Sequence, residues 1–140
     1  MIWNKDITID RINEISQQTL VSNLGISFTK IGDNFIKATM PVDDRTVQPM
    51  RILHGGASVA LAETLGSVAS FACVDIEKFM VVGVEINANH IKSATSGFVT
   101  GCVTPIKIGR KIHVWSIEIR DLEEELVCLS RLTVMVLPKK

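Results

Sequence analysis

With 140 residues the chain has room for one domain with a real core and none for a second module, so residues 1–140 are read as a single domain that carries the whole function. Fifteen Lys and Arg balance fifteen Asp and Glu, which leaves no net charge to draw the molecule to nucleic acid or to an anionic membrane. A hydrophobic content of 46% supplies more apolar surface than one small core needs, so part of it is expected in contacts between subunits.

The opening run Met-Ile-Trp-Asn-Lys-Asp-Ile-Thr lacks the apolar core of a signal segment, and a cytoplasmic protein is expected. Thr8-Ile9-Asp10 caps a short helix predicted to run to about residue 20, with Ile9, Ile12 and Ile15 on one stripe. Residues 24–31 and 34–42 alternate apolar and polar around Gly32-Asp33, the pattern of a β-hairpin, and 43–51 form a loop. From residue 56 to about 74 the run is too long for a strand and has helical spacing. On a helical wheel Leu61, Leu65, Val68 and Ala72 make a wholly apolar face, while Gly56, Ala60, Glu63, Ser67 and Ser70 lie opposite. Such a helix is buried on nearly all sides, and its many Ala, Gly and Ser residues admit a curved sheet or a second chain close to the backbone. Four strand-like runs follow, 81–91, 98–108, 111–121 and 126–137, hinged at Ser96-Gly97, Gly109-Arg110 and residues 121–125. Two strands, one central helix and four long strands predict an α+β fold, an antiparallel sheet wrapped around one long helix. Cys73, Cys102 and Cys128, odd in number and set apart in apolar stretches, are expected as reduced thiols.

Glu63 is the only charged side chain in the helical run, and an ionised carboxylate in apolar surroundings calls for a partner or a task. Gly55 stands where that helix begins, so its N–H is unpaired within the helix and lies at the positive end of the macrodipole, suited to a carbonyl oxygen that becomes negative. Two turns along, Glu63 has the chemistry to attack an acyl carbon or to activate water, and Ser67, one turn further, to orient either. Each feature also has a structural reading: Gly55-Gly56 as a turn, His54 as a loop residue, Glu63 as a hydrogen-bonding group. Their joint spacing favours catalysis. His54, His90 and His113 stand far apart without metal-ligand spacing, and there is no nucleophile elbow and no phosphate-binding glycine loop, so neither a metal site nor nucleotide hydrolysis is expected.

Residues 48–67, Gln-Pro-Met-Arg-Ile-Leu-His-Gly-Gly-Ala-Ser-Val-Ala-Leu-Ala-Glu-Thr-Leu-Gly-Ser, resemble the signature of hotdog-fold acyl-CoA thioesterases. The likeness continues in Val-Gly-Val-Glu-Ile-Asn-Ala-Asn-His at 82–90, Gly-Arg-Lys-Ile-His-Val-Trp at 109–115 and Ser-Arg-Leu-Thr at 130–133. It is to the branch with a catalytic glutamate, which includes 4-hydroxybenzoyl-CoA and dihydroxynaphthoyl-CoA thioesterases. The resemblance implies a hotdog fold in which Glu63 is nucleophile or general base and Gly55 gives the oxyanion N–H. It implies further that Gln48 and His54 position the thioester carbonyl and the water, with Ser67 beside the glutamate. Homodimers would pair their sheets edge to edge and assemble as homotetramers, each active site joining the Glu63 helix of one chain to the Gln48-His54-Gly55 loop of another.

For the phosphates of coenzyme A, His90, Lys92, Lys107, Arg110, Lys111 and Arg131 form the basic concentration around the later strands, Arg110 being the favoured member, and Val82 joins the substrate-binding set. No cofactor is expected beyond the coenzyme A of the substrate. The expected reaction is hydrolysis of an aromatic or medium-chain acyl-CoA to the free acid and coenzyme A, with dihydroxynaphthoyl-CoA in menaquinone synthesis as the leading physiological role. Three alternatives stand beside it: a proofreading thioesterase acting on misacylated carrier protein, a hotdog hydratase or dehydratase, and a non-catalytic acyl-CoA-binding hotdog module. A hydratase would place an Asp and a His at the helix start, whereas here the acid follows Gly55 by eight residues.

Overall fold

A computed structural model describes residues 1–4 and 6–140. In chain order it holds α1 (Ile9–Ile15), α2 (Leu20–Asn23), β1 (Ser27–Ile31), β2 (Ile36–Pro41), α3 (Gly55–Cys73), β3 (Phe79–His90), β4 (Phe98–Ile108), β5 (Ile112–Arg120) and β6 (Leu126–Pro138). The period-two pattern of the later runs is realised strand by strand: His113, Trp115, Ile117 and Ile119 of β5 are buried, while Glu118 faces water. All strands pair antiparallel in one six-stranded sheet of order β1-β2-β4-β5-β6-β3, so the strand that follows α3 is laid down at the far edge.

The sheet curls around α3. Leu61, Ala62, Leu65, Ala69 and Ala72 are completely buried against Val99, Val103, Ile117, Leu132 and Val134. Small residues set the distance: a Cβ at Gly66 would stand 2.4 Å from Leu132 Cδ2, and one at Gly101 would stand 2.5 Å from Leu65 Cδ1. By length and apolarity alone α3 could cross a membrane; in this fold it is the helix that the sheet wraps.

Two expectations need correction. The first helix ends at Ile15 and not near residue 20, because Ser16 Oγ turns back to donate to Ile12 O, Gln18 takes a positive φ of 60°, and Thr19 with Ser22 opens α2 as a capping box. Ile12 is buried but Ile15 is exposed, so the apolar stripe is shorter than the sequence suggests. The first strand, expected from residue 24, begins at Ser27, because Leu24 is the C-cap of α2 and Gly25 takes a positive φ of 71°. The other correction concerns the polar stripe of α3. Ser70 does not lie beside Glu63; it is fully buried, accepting the Nε1–H of Trp115 at 2.7 Å and pairing with His113 Nδ1 at 3.0 Å. Val68, placed on the apolar face, is only partly buried. A helical wheel sorts residues by polarity, whereas here two ring nitrogens of β5 give a serine its partners inside the core.

Burial holds the His113 imidazole below its ordinary pKa, with its contact to the Gly109 backbone opposing the effect. In the unfolded chain the imidazole takes its proton near pH 6.5, so between that point and the lower folded value the unfolded state binds more protons. His113 therefore imposes no penalty at higher pH, and stability is lost as the pH falls below about 6.5. We expect thermal midpoints measured between pH 7.5 and 5.5, on the scale of this window, to fall more steeply for the wild type than for His113→Gln. Parallel curves for the two proteins would remove His113 from the acid response.

Candidate active site

The loop between β2 and α3 is pinned at both ends. Thr46 is buried, its hydroxyl donating to Pro41 O at 2.6 Å, and its carbonyl accepts the His54 N–H at 2.8 Å. Gln48 and Arg51 close a tight turn, Gln48 N–H to Ile52 O at 2.9 Å and Arg51 N–H to Gln48 O at 2.8 Å, with Arg51 at a φ of 65°. The Gln48 side-chain oxygen accepts the Met50 N–H, which leaves the amide NH₂ as the group presented outward. His54 is the N-cap of α3, its Nδ1 accepting from Gly56 N–H at 2.7 Å. That cap satisfies Gly56 and not Gly55, whose N–H meets no acceptor among the described residues. The His90 ring lies directly over Gly55: a Cβ there would be 2.9 Å from His90 Nε2. Gln48, Leu53, Gly55, Ser58, His90 and Val127 help to line a cavity of about 280 Å³ at this helix start.

Glu63 lies elsewhere. Eight residues separate it from Gly55, about 12 Å along the helix axis. Its carboxylate rests against β3, where a Cβ at Gly83 would be 2.2 Å from Oε1, and it forms no hydrogen bond or ion pair among the described residues. Partial burial raises its pKa above the ordinary carboxylate range. Ser67 is half-buried one turn further along. Within one chain, then, Gln48, His54 and Gly55 come together, and Glu63 with Ser67 forms a second group.

The basic residues divide as well. His90 pairs with Cys128 at the end of the sheet where α3 begins, whereas Ile112 pairs with Met135, seven positions away along β6 or about 24 Å. Arg110 and Lys111, in the turn before Ile112, thus stand at the opposite end, on the rim of a largely apolar groove of about 920 Å³ that includes Phe79, Met135 and Leu137. Lys92 is not a free cation: it bridges Asp121, at 2.7 Å, and Glu125, and both hold its pKa up. Lys107 lies near the Arg110 end of β4, and Arg131 is exposed in the middle of β6. Val82 pairs with Met135 and, by strand alternation, faces away from α3. Two contacts escaped the sequence reading, His90 on Gly55 and Gly83 under Glu63; the only signal for the second was a glycine inside a strand.

Residues 50–128 match the family described as the Thioesterase superfamily. The chain belongs to that superfamily. Over 98% of its length it is 50% identical to the 1,4-dihydroxy-2-naphthoyl-CoA hydrolase of Escherichia coli, all of which it covers (100%). It is 45% identical to the Proofreading thioesterase EntH of Cronobacter turicensis, over 98% of this chain and 99% of that one. A crystal structure of a thioesterase from Haemophilus influenzae superposes with a TM-score of 0.95 at 50% identity, covering 99% of this chain and 96% of the other. The sheet wrapped on α3 is therefore a hotdog fold, and this superfamily member is a thioester hydrolase.

Partly desolvated and without a partner among the described residues, Glu63 opposes folding of this thioesterase while it is ionised, since its folded pKa is raised and the native state gains stability on taking up a proton. We expect Glu63→Gln to raise the thermal midpoint at neutral pH, and the difference to shrink as the pH falls through the raised pKa. Identical midpoints at every pH would show that the carboxylate has a compensating partner.

Proposed function

We propose that this thioesterase hydrolyses aromatic or medium-chain acyl-CoA thioesters to the free acid and coenzyme A, at sites built from two copies of the chain. The observation that carries the reading is the rise of about 12 Å along the helix axis from Gly55 to Glu63, which sets the oxyanion donor and the carboxylate of one chain in two separate groups. A second copy supplies the missing half. β3 is a twelve-residue edge strand, and its Val81, Val82, Val84 and Ile86 carry neither Pro nor cation to deter another strand. Antiparallel pairing of two β3 edges brings Glu63 of one chain toward Gln48, His54 and Gly55 of the other. It also brings the Arg110 and Lys111 end of one chain to the His90 end of its partner, which reunites the basic residues along a coenzyme A tail. Lys92, already neutralised, is not assigned to phosphate. Two such dimers would associate as a homotetramer, in the cytoplasm.

In this scheme the thioester oxygen accepts hydrogen bonds from the Gly55 N–H and the Gln48 NH₂ as it becomes negative. Glu63 either attacks the acyl carbon, giving an anhydride that water opens, or takes a proton from a water that attacks directly. In both routes the C–S bond breaks, the sulfur leaves as thiolate and is protonated, and water supplies the acid oxygen. His54, whose Nδ1 is engaged by the Gly56 N–H, and Ser67 hold the water. No step calls for a metal or redox cofactor.

The relatives named for dihydroxynaphthoyl-CoA and for proofreading support two substrate readings, with the former, and a role in menaquinone synthesis, as the leading one. On the helix face that carries Glu63 the spacing places the small residues Gly56, Ala60 and Ser67, and the chain has no Tyr to fill that space. We expect benzoyl-CoA and hydroxynaphthoyl-CoA to exceed acetyl-CoA in kcat/KM by about a hundredfold, the order of what burying a ring supplies. Equal hydrolysis of acetyl-CoA would end the aromatic assignment, and faster turnover of the same acyl group on a carrier protein would favour proofreading.

Subunit mixing tests the shared site. Glu63→Gln should lose about three orders of magnitude in turnover, and Gln48→Ala should be strongly impaired. Coexpressed, the two form heterodimers with one intact site and one doubly damaged site, so activity should return to about a quarter of wild type for random pairing. Heterodimers no more active than either parent would place each site within one chain.

A further inference from the structure

β3 follows regular pairing with β6 except at one place. Gly83 faces Val134 and Glu85 faces Thr133, so Val84 is an extra residue and the strand bulges directly after Gly83. Before the bulge, odd-numbered residues face α3; beyond it Ile86, Ala88 and His90 do, paired with Leu132, Ser130 and Cys128. Had the alternation continued, Glu85 would point at the helix face that carries Glu63. The bulge turns it outward instead, where its carboxylate accepts from Asn87 Nδ2 at 3.3 Å.

Gly83 itself has no conformational need to be glycine, since the glycines with positive φ are Gly25 and Gly97. What it lacks is room for a side chain. The three atoms nearest to a Cβ built on it all belong to Glu63: Oε1 at 2.2 Å, Cδ at 3.3 Å and Oε2 at 3.8 Å. We propose that Gly83 and the bulge after it are the positioning device for thioester hydrolysis, the bare backbone seating the Glu63 carboxylate while the bulge keeps the second carboxylate, Glu85, off that face. This rests on the reading of Glu63 as the catalytic carboxylate. Gly83 touches neither substrate nor the reacting atoms; it acts through Glu63. The seat also accounts for the partial desolvation that raises the Glu63 pKa.

The test joins stability and kinetics. Gly83→Ala should shift the thermal midpoint by a different amount in the wild-type background than in Glu63→Ala, where the obstructing carboxylate is gone. Its kcat should fall on the order of a hundredfold, as for a displacement of ~1 Å at a reacting group, with KM within about twofold of wild type. The acid limb of its pH–rate profile should move to lower pH, because a carboxylate pushed off its seat is better hydrated. If Gly83→Ala fails to fold in the wild-type background, folding of the double variant supports the proposal and its failure overturns it. Equal shifts of the midpoint in both backgrounds, or a folded Gly83→Ala with wild-type kcat and acid limb, would also overturn it. Turnover retained by Glu63→Gln would instead strike at the catalytic reading, leaving the stability coupling between Glu63 and Gly83 to stand or fall on its own.

Discussion

One carboxylate on an otherwise apolar helix sets the terms for this fold. α3 is wrapped by five strands and contributes five completely buried apolar residues to the core, yet at Glu63 it holds an ionisable group with no hydrogen bond or ion pair among the described residues. Stability alone would select a neutral residue there, because desolvating a carboxylate without compensation opposes folding. Activity at the expense of stability is the usual mark of a functional position, and the raised pKa has desolvation as its sole cause.

The rest of the site follows from helix geometry. A helix presents free N–H groups only at its start, and here the His54 cap satisfies Gly56 and leaves Gly55. Polar groups in mid-helix are fixed at a rise of about 1.5 Å per residue from that start, so the Gly55 donor and the Glu63 carboxylate stand more than two turns apart on one helix. The long β3 edge and the division of basic residues between the two ends of the sheet would both be resolved by the antiparallel pairing proposed above.

The sheet was legible because alternation is a local signal: the run 98–108 coincides with β4, and the later strands differ from their observed bounds by one or two residues. α3 was legible for the same kind of reason, its length and helical spacing. Misreadings arose where local and tertiary demands differ. Ser16, Gln18 and Thr19 end the first helix through their own hydrogen bonds and a left-handed turn, while Ser70 looks like a surface residue until Trp115 and His113 are laid over it. Lys92 looks like a phosphate ligand until Asp121 and Glu125, about thirty residues away, are brought to its ammonium group.

By itself, then, the sequence determined the α+β architecture, the central helix, the candidate residues Gln48, His54, Gly55, Glu63 and Ser67, and through its motifs the thioesterase family. Those are properties of spacing and residue type, which a linear pattern records. Only the tertiary structure decided which groups meet: that His90 covers Gly55, that Lys92 is neutralised, that Arg110 lies at the far end of the sheet from His90, and that Glu63 rests on Gly83. Each of these depends on strand register and on a crossover that carries β3 to the sheet edge, and register is set by packing between segments distant in the chain, which no local periodicity encodes.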